Sequence, residues 1–136
     1  MTLQNLAADY VSRGGLSVIP VKVDGSKRPA LPSWKELQER RPSREELQEW
    51  FSRSIGIAVI AGQVSGGLEV IDFDQASFFE PWFRMLPEKL RAKLCVVKTP
   101  KGYHVFYRCP VIEGNKKLAF DKNNRLIVET RGEARY

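Results

Sequence analysis

The sequence predicts an α+β fold, a mainly antiparallel sheet with flanking helices. Three observations lead there. Six segments with β character outnumber three with helical character. Several β segments follow one another with only a turn between them, which is how antiparallel neighbours are joined. The chain has 136 residues, 43% hydrophobic and 28% charged, which suits one soluble globular domain spanning residues 1–136.

Residues 2–13 read as a short helix, with Leu3, Leu6, Ala7, Tyr10 and Val11 on one face. Thr2 is its N-cap, and Gly14-Gly15 stop it. Residues 16–23 are rich in β-branched side chains and form a strand, broken by Pro20. Residues 24–33 form a loop carrying Lys27, Arg28 and Pro29. Ser43 and Glu46 form a capping box that opens a helix to about Ser52, with Leu47, Trp50 and Phe51 facing inward.

Residues 55–61 are a second strand, and 63–67 a polar turn with two glycines. Residues 68–74 are a third strand. Residues 75–92 are helical in part, with interruptions at Pro81 and Pro87. Residues 94–98 and 103–108 are two more strands around a turn at 99–102. Residues 110–124 read mostly as loop, and 125–130 as the sixth strand. Nothing in the sequence caps that last strand, so the chain is expected to be a fragment of a longer protein, truncated at its C-terminus.

Several classes are excluded. No run approaches the ~20 apolar residues of a membrane-spanning helix. The N-terminus lacks an apolar core with a small-residue cleavage site, so no secretory leader is expected. Cys95 and Cys109 have no second pair with which to build a zinc spacing or a disulfide framework. A reducing, cytoplasmic setting and no membrane partner are the expectation. The net charge of +6 is uneven: residues 1–83 hold nine Lys/Arg and eleven Asp/Glu, and residues 84–136 hold thirteen and five. A basic second half points to a polyanionic partner.

Three segments carry the candidate chemistry. In Leu68-Glu69-Val70-Ile71-Asp72-Phe73-Asp74, strand alternation puts Asp72 and Asp74 on one face. Paired carboxylates repel and resist desolvation, so a hard cation such as Mg²⁺ or Mn²⁺ would suit them. The plainer alternative is that Asp74 caps the next helix and Asp72 is exposed at the strand end. The single histidine, His104, follows the turn Thr99-Pro100-Lys101-Gly102. Lys101, backbone N–H groups and the imidazole together suit phosphate contact. The plainer alternative is a structural histidine beside a solvated lysine. In Leu126-Ile127-Val128-Glu129-Thr130-Arg131-Gly132, Glu129 and Arg131 share a face. They are either a surface ion pair or a third metal ligand beside a phosphate-binding arginine.

Taken in order, the three segments resemble the motif set of the archaeo-eukaryotic primase superfamily. The likeness is greatest to the bifunctional primase-polymerase (prim-pol) domains of phages, plasmids and mobile elements. Lys27-Arg28-Pro29 with Trp34-Lys35 resembles that family's N-terminal Lys-x-Pro…Trp stretch. Trp50 and Gly56-Ile57 resemble its aromatic helix end and strand start. Gly62, Ser65 and Gly66-Gly67 resemble its Gly…Ser-Gly turn, and Glu129-Thr130-Arg131-Gly132-Glu133 its Glu-x-Arg-Gly-acid segment. The likeness covers nearly the whole chain. It departs at Ala134-Arg135-Tyr136, where the family continues with a glycine, an aromatic and a proline-rich loop. No zinc-stem or helicase segment is present.

The resemblance implies an RRM-like-derived catalytic core and template-dependent nucleotidyl transfer, as DNA primase and DNA polymerase, in the replication of a phage, plasmid or mobile element. Asp72, Asp74 and Glu129 would hold two divalent ions, Mg²⁺ or Mn²⁺. His104, with Lys101 and the Gly102 backbone, would grip the triphosphate, with Arg131 and Lys27 as further phosphate contacts. Implied partners are a single-stranded DNA template, an NTP or dNTP, and a helicase domain or partner in the longer protein. Truncation would leave the fragment itself inactive, or completing its sheet from another copy. Two other readings compete. One is a non-catalytic nucleic-acid or nucleotide-binding module. The other is a metal-dependent nuclease, which would want an acid where Val96 stands in Cys95-Val96-Val97-Lys98.

Overall fold

The computed structural model describes residues 1–136. It is α+β, with two antiparallel sheets in place of the single sheet expected. The chain's contacts divide into two compact units, residues 1–66 with 134–136, and residues 67–133.

The first unit holds helix α1 (Leu3–Ser12), strand β1 (Ser17–Val21), a 3-10 turn (Lys35–Gln38), helix α2 (Arg44–Trp50) and strand β2 (Gly56–Ile60). The caps are those the sequence predicts. Thr2 Oγ1 accepts from the Asn5 N–H at 3.1 Å. The Ser43 hydroxyl accepts from the Glu46 N–H, and the Glu46 carboxylate from the Ser43 N–H, a complete capping box. Strands β1 and β2 pair antiparallel, with Val18 opposite Val59 and Ile19 opposite Ala58. Val18 packs with Ala7, Leu47 and Phe51. Ile19 packs with Leu37 and Ile60 on the other face. Both faces of β1 are covered, which is why its sequence is a continuous apolar run and not an alternating one.

Pro20 does not break β1. Its carbonyl accepts from the Ala30 N–H at 2.8 Å, on the side away from β2. In an extended residue N–H and C=O point the same way, so the missing donor costs the β1–β2 ladder nothing.

The second unit holds strand β3 (Leu68–Phe73), helices α3 (Phe79–Met85) and α4 (Glu88–Arg91), and strands β4 (Cys95–Lys98), β5 (Tyr103–Arg108), β6 (Lys117–Phe120) and β7 (Leu126–Arg131). The sheet order is β4-β5-β3-β7-β6, all neighbours antiparallel. Phe73, Val105, Ile71, Tyr103 and Val128 form one apolar face, under Phe79, Trp82 and Phe83. Phe79 stacks on Tyr103 at 4.0 Å between ring centres.

Two expectations need correction. Pro81 does not interrupt α3: it is the third residue of the helix, where the N–H has no intrahelical acceptor to lose. Pro87 does separate two helices, as N-cap of α4. The stretch read as loop contains β6, a short edge strand whose pairing with β7 shifts register twice. Its Leu118 and Phe120 are exposed, so no burial pattern marks it. The strand exists because β7 offers an edge.

Ser65 closes the turn between β2 and β3. Its hydroxyl accepts from the Ser17 N–H at 2.8 Å and donates to the Ile60 carbonyl, while the Ser17 hydroxyl donates to the Leu37 carbonyl at 2.7 Å. Both serines are fully buried. Ser65→Ala leaves the Ser17 N–H buried without a partner and is expected to cost about 1–3 kcal/mol, read as a lower urea midpoint with an unchanged slope. A second prediction concerns acid. Hydrogen bonds from Arg40, at 2.7 and 3.1 Å, lower the Glu46 carboxyl from 4.5 to about 2. A depressed carboxyl contributes stability above its unfolded pKa and loses it on the way down to the folded one. The melting-temperature difference between the parent and Glu46→Gln is therefore expected to be constant above pH 4.5 and to shrink towards pH 2.

Candidate active site

Strand β3 is central, between β5 and β7. Asp72 stands directly opposite His104 on one neighbour and Glu129 on the other. Residues directly opposed across a ladder point to the same face. One row of side chains, His104–Asp72–Glu129, therefore crosses three strands on the face away from Phe73 and α3. Arg131 pairs with Val70, two residues along β7 from Glu129, and so shares that face.

The charges in this row are mutually engaged. His104 Nε2 lies 3.3 Å from Asp72 Oδ1. Arg131 Nε lies 3.1 Å from Asp72 Oδ2, and its Nη2 lies 3.4 Å from Glu129 Oε1. The Asp72 side chain is only 7% exposed. Burial pushes its pKa up, but the hydrogen bond and charge of His104, then Arg131, outweigh burial and hold it below the usual value. Asp72 is thus a buried, ionised carboxylate.

Asp74 lies one residue beyond β3. Its N–H still donates to the Ile127 carbonyl at 2.9 Å, so the ladder to β7 continues and strand alternation keeps Asp74 on the Asp72 face. The acids do not form a ready-made cage: no group of three His, Cys, Asp or Glu is arranged to hold a metal ion. The donor set still fits a hard cation. Mg²⁺ is commonly held by one or two carboxylates plus substrate phosphates. Asp72 and Glu129 would supply the carboxylates, and the Arg131 guanidinium lies 3.1 Å from one and 3.4 Å from the other.

The turn before His104 serves differently from expectation. The Gly102 N–H donates to Thr99 Oγ1 at 3.0 Å, and the Thr99 N–H to the Gly102 carbonyl at 2.9 Å. The Gly102 N–H is therefore committed inside the turn and is not an open phosphate donor. The glycine is required for another reason: a Cβ there would stand 1.8 Å from the Phe73 carbonyl oxygen. Gly102 lets the β5 entrance lie against the end of β3, which sets His104 opposite Asp72. Lys101 is exposed on this turn. Lys27 belongs to the first unit and is not among the residues that the second unit brings together.

Thr99 and Gln75 are positioning residues that the sequence reading left without a role. Gln75 Nε2 donates to Asp121 Oδ2 and to the Leu126 carbonyl, both at 3.1 Å, fastening the chain just after Asp74. The Thr-x-x-Gly spacing was the available signal for Thr99. Nothing local marks Gln75, whose partners are 46 and 51 residues away. Glu69, also buried, accepts from the Tyr107 hydroxyl. Both lie on the opposite face of the sheet from Asp72, by alternation. Gly102→Ala is expected to destabilise the protein by about 1–3 kcal/mol through overpacking and to move His104. The checks are a denaturant melt and the His104 imidazole NMR shifts, with unaltered melts and shifts refuting the account.

No helix is long and apolar enough to cross a membrane. No curated protein matches the chain. The family model described as bifunctional DNA primase/polymerase, N-terminal, matches residues 7–136. That match takes in the acid strand, the His104 strand and the Glu129 strand, the same three that the central row spans, and the chain belongs to the bifunctional DNA primase/polymerase family.

Proposed function

We propose that this domain carries out template-dependent nucleotidyl transfer, as a DNA primase and polymerase, in the replication of a phage, plasmid or other mobile element. Membership of the family implies nucleotidyltransferase chemistry broadly. The observation that carries the finer reading is the row His104–Asp72–Glu129 with Arg131 beside it: two carboxylates, an imidazole and a guanidinium on one sheet face.

In the proposed reaction a 3′-hydroxyl attacks the α-phosphorus of an NTP or dNTP. A new P–O bond forms, the 3′-hydroxyl proton is released to solvent, the bond from the α-phosphorus to the bridging β-phosphate oxygen breaks, and pyrophosphate leaves with the electron pair. Asp72 and Glu129, with Asp74 at the strand end, would hold Mg²⁺ or Mn²⁺. Such ions activate the attacking oxygen and offset the charge of the leaving group. His104 would donate a hydrogen bond to the triphosphate. Arg131, with its planar fork of donors, suits bidentate phosphate contact. Lys101 on the exposed turn adds a positive charge. Lys27 is a weaker candidate for a phosphate contact. The basic stretch 84–136 would hold a single-stranded DNA template by its phosphates, with salt-sensitive affinity. A helicase domain or partner would supply that strand, in the cytoplasm.

The deciding experiment is primer extension with Mn²⁺ and labelled dNTP, using the full natural protein. Extension supports the proposal. Loss of the labelled strand points to a nuclease, and a gel shift without chemistry to a binding module. Asp72→Ala is expected to abolish extension and to leave DNA affinity within about twofold, since template grip comes from many dispersed cations. Equal extension by mutant and parent would falsify the catalytic assignment. His104→Ala is expected to raise the nucleotide KM tenfold to a hundredfold, the loss of one charge-assisted hydrogen bond of about 1.5–3 kcal/mol. Separate titrations of dNTP and DNA check this. A tenfold fall in DNA affinity with unchanged KM would move His104 to the template side.

A further inference from the structure

Two carboxylates in the central row stand opposite one another on neighbouring strands. Asp72 and Glu129 are directly opposed on adjacent strands, a placement that brings Cβ atoms within about 4.5–5.5 Å. Their side chains are only 7% and 20% exposed. Like charges so placed are unfavourable unless a cation lies between them. In the protein by itself that cation is Arg131, 3.1 Å from Asp72 and 3.4 Å from Glu129. Its position follows from the fold. It is opposite Val70 and thus diagonal to Asp72, a separation that a long side chain spans. Its side chain is 41% exposed, so it has room to leave.

We propose that Arg131 is a placeholder cation for the metal seat. It holds the Asp72 and Glu129 carboxylates together in the free protein and transfers to the nucleotide phosphates when a divalent ion and a nucleotide arrive. This inference rests on the metal-dependent nucleotidyl-transfer reading given above. Its physical content is competition. A divalent ion entering alone must displace a guanidinium from two carboxylates, and its affinity falls by what that guanidinium contributes. A triphosphate gives Arg131 a new set of oxygens, which its fork binds in bidentate fashion. Ion and nucleotide are therefore coupled, each raising the other's affinity by the same factor. In the free protein the seat is occupied by the guanidinium, and the ion is admitted with the substrate that needs it. His104 stands on the other side of Asp72.

The test is Mn²⁺ titration of the whole chain without nucleotide, following the electron paramagnetic resonance signal of free Mn²⁺. Arg131→Gln is expected to bind Mn²⁺ about tenfold more tightly than the parent, within the usual range of coupling between sites. At the same time the nucleotide KM should rise. A purely structural arginine would give the opposite sign for the ion, since its loss would loosen the carboxylates. Mn²⁺ affinity equal to or below the parent's overturns the inference. Asp72→Asn separates the two levels of argument. If Asp72→Asn, in the Arg131→Gln background, leaves Mn²⁺ binding unchanged, the carboxylates are not the seat, and the functional reading fails together with the inference. If it abolishes Mn²⁺ binding but Arg131→Gln binds no more tightly than the parent, the placeholder alone fails. Should Arg131→Gln not fold, the parent gives the answer: the Arg131 Nε–H NMR signal must move when Mg²⁺ and dNTP are added together, and a stationary signal overturns the proposal.

Discussion

The charge of Asp72 is the constraint around which the second unit is built. A carboxylate 7% exposed in the middle strand of a sheet is tolerated only if its neighbours compensate it. Both neighbouring strands do so. β5 brings His104 opposite it, and β7 brings Arg131 to its diagonal. The same register brings Glu129, a second acid, to the other side. A register slip of one residue would put the whole set on the apolar face against α3. The apolar face locks the register: Phe73, Val105 and Val128 alternate with Asp72, His104 and Glu129 on the same three strands and pack under Phe79 and Trp82. The stability of one face therefore fixes the geometry of the other.

The β5 entrance depends on a second close constraint. The turn 99–102 folds back on itself through Thr99 and seats Gly102 against the Phe73 carbonyl. Any side chain at residue 102 would lift β5 at the point where His104 must meet Asp72. On the β7 side, Gln75 fixes the exit of β3 by reaching the Leu126 carbonyl and Asp121. The C-terminal end of β3, where Asp72 and Asp74 lie, is thus held from both flanks. The first unit uses the same economy: Ser65 and Ser17, fully buried, satisfy each other and the backbone around the turn that leads to β3.

Most of the local structure is legible in the sequence. Thr2 and the Ser43–Glu46 box cap the helices that they predict, because capping is a contact within four residues. The pairing partners of Asp72 are not legible. Alternation places Asp72 with Asp74, and Glu129 with Arg131, but it cannot say which face of one strand meets which face of another. Pro20 and Pro81 mislead for a related reason. The cost of a missing N–H depends on where that N–H would have pointed, which only the assembled strand or helix turn decides.

By itself, then, the sequence determined the α+β class, the caps, six of the seven strands, and the residue types of the candidate site, since each of these is set by composition, period or contacts close along the chain. Tertiary structure alone decided the rest. It split the strands into two sheets and made β6 a strand on the edge of β7. It set His104, Asp72 and Glu129 in one row, and it turned Gly102 from an open donor into a steric necessity. It also placed Arg131 across two acids. The reason is the same in every case. These outcomes depend on hydrogen-bond register and close approach between segments tens of residues apart, and no local pattern encodes which distant partner a strand edge will find.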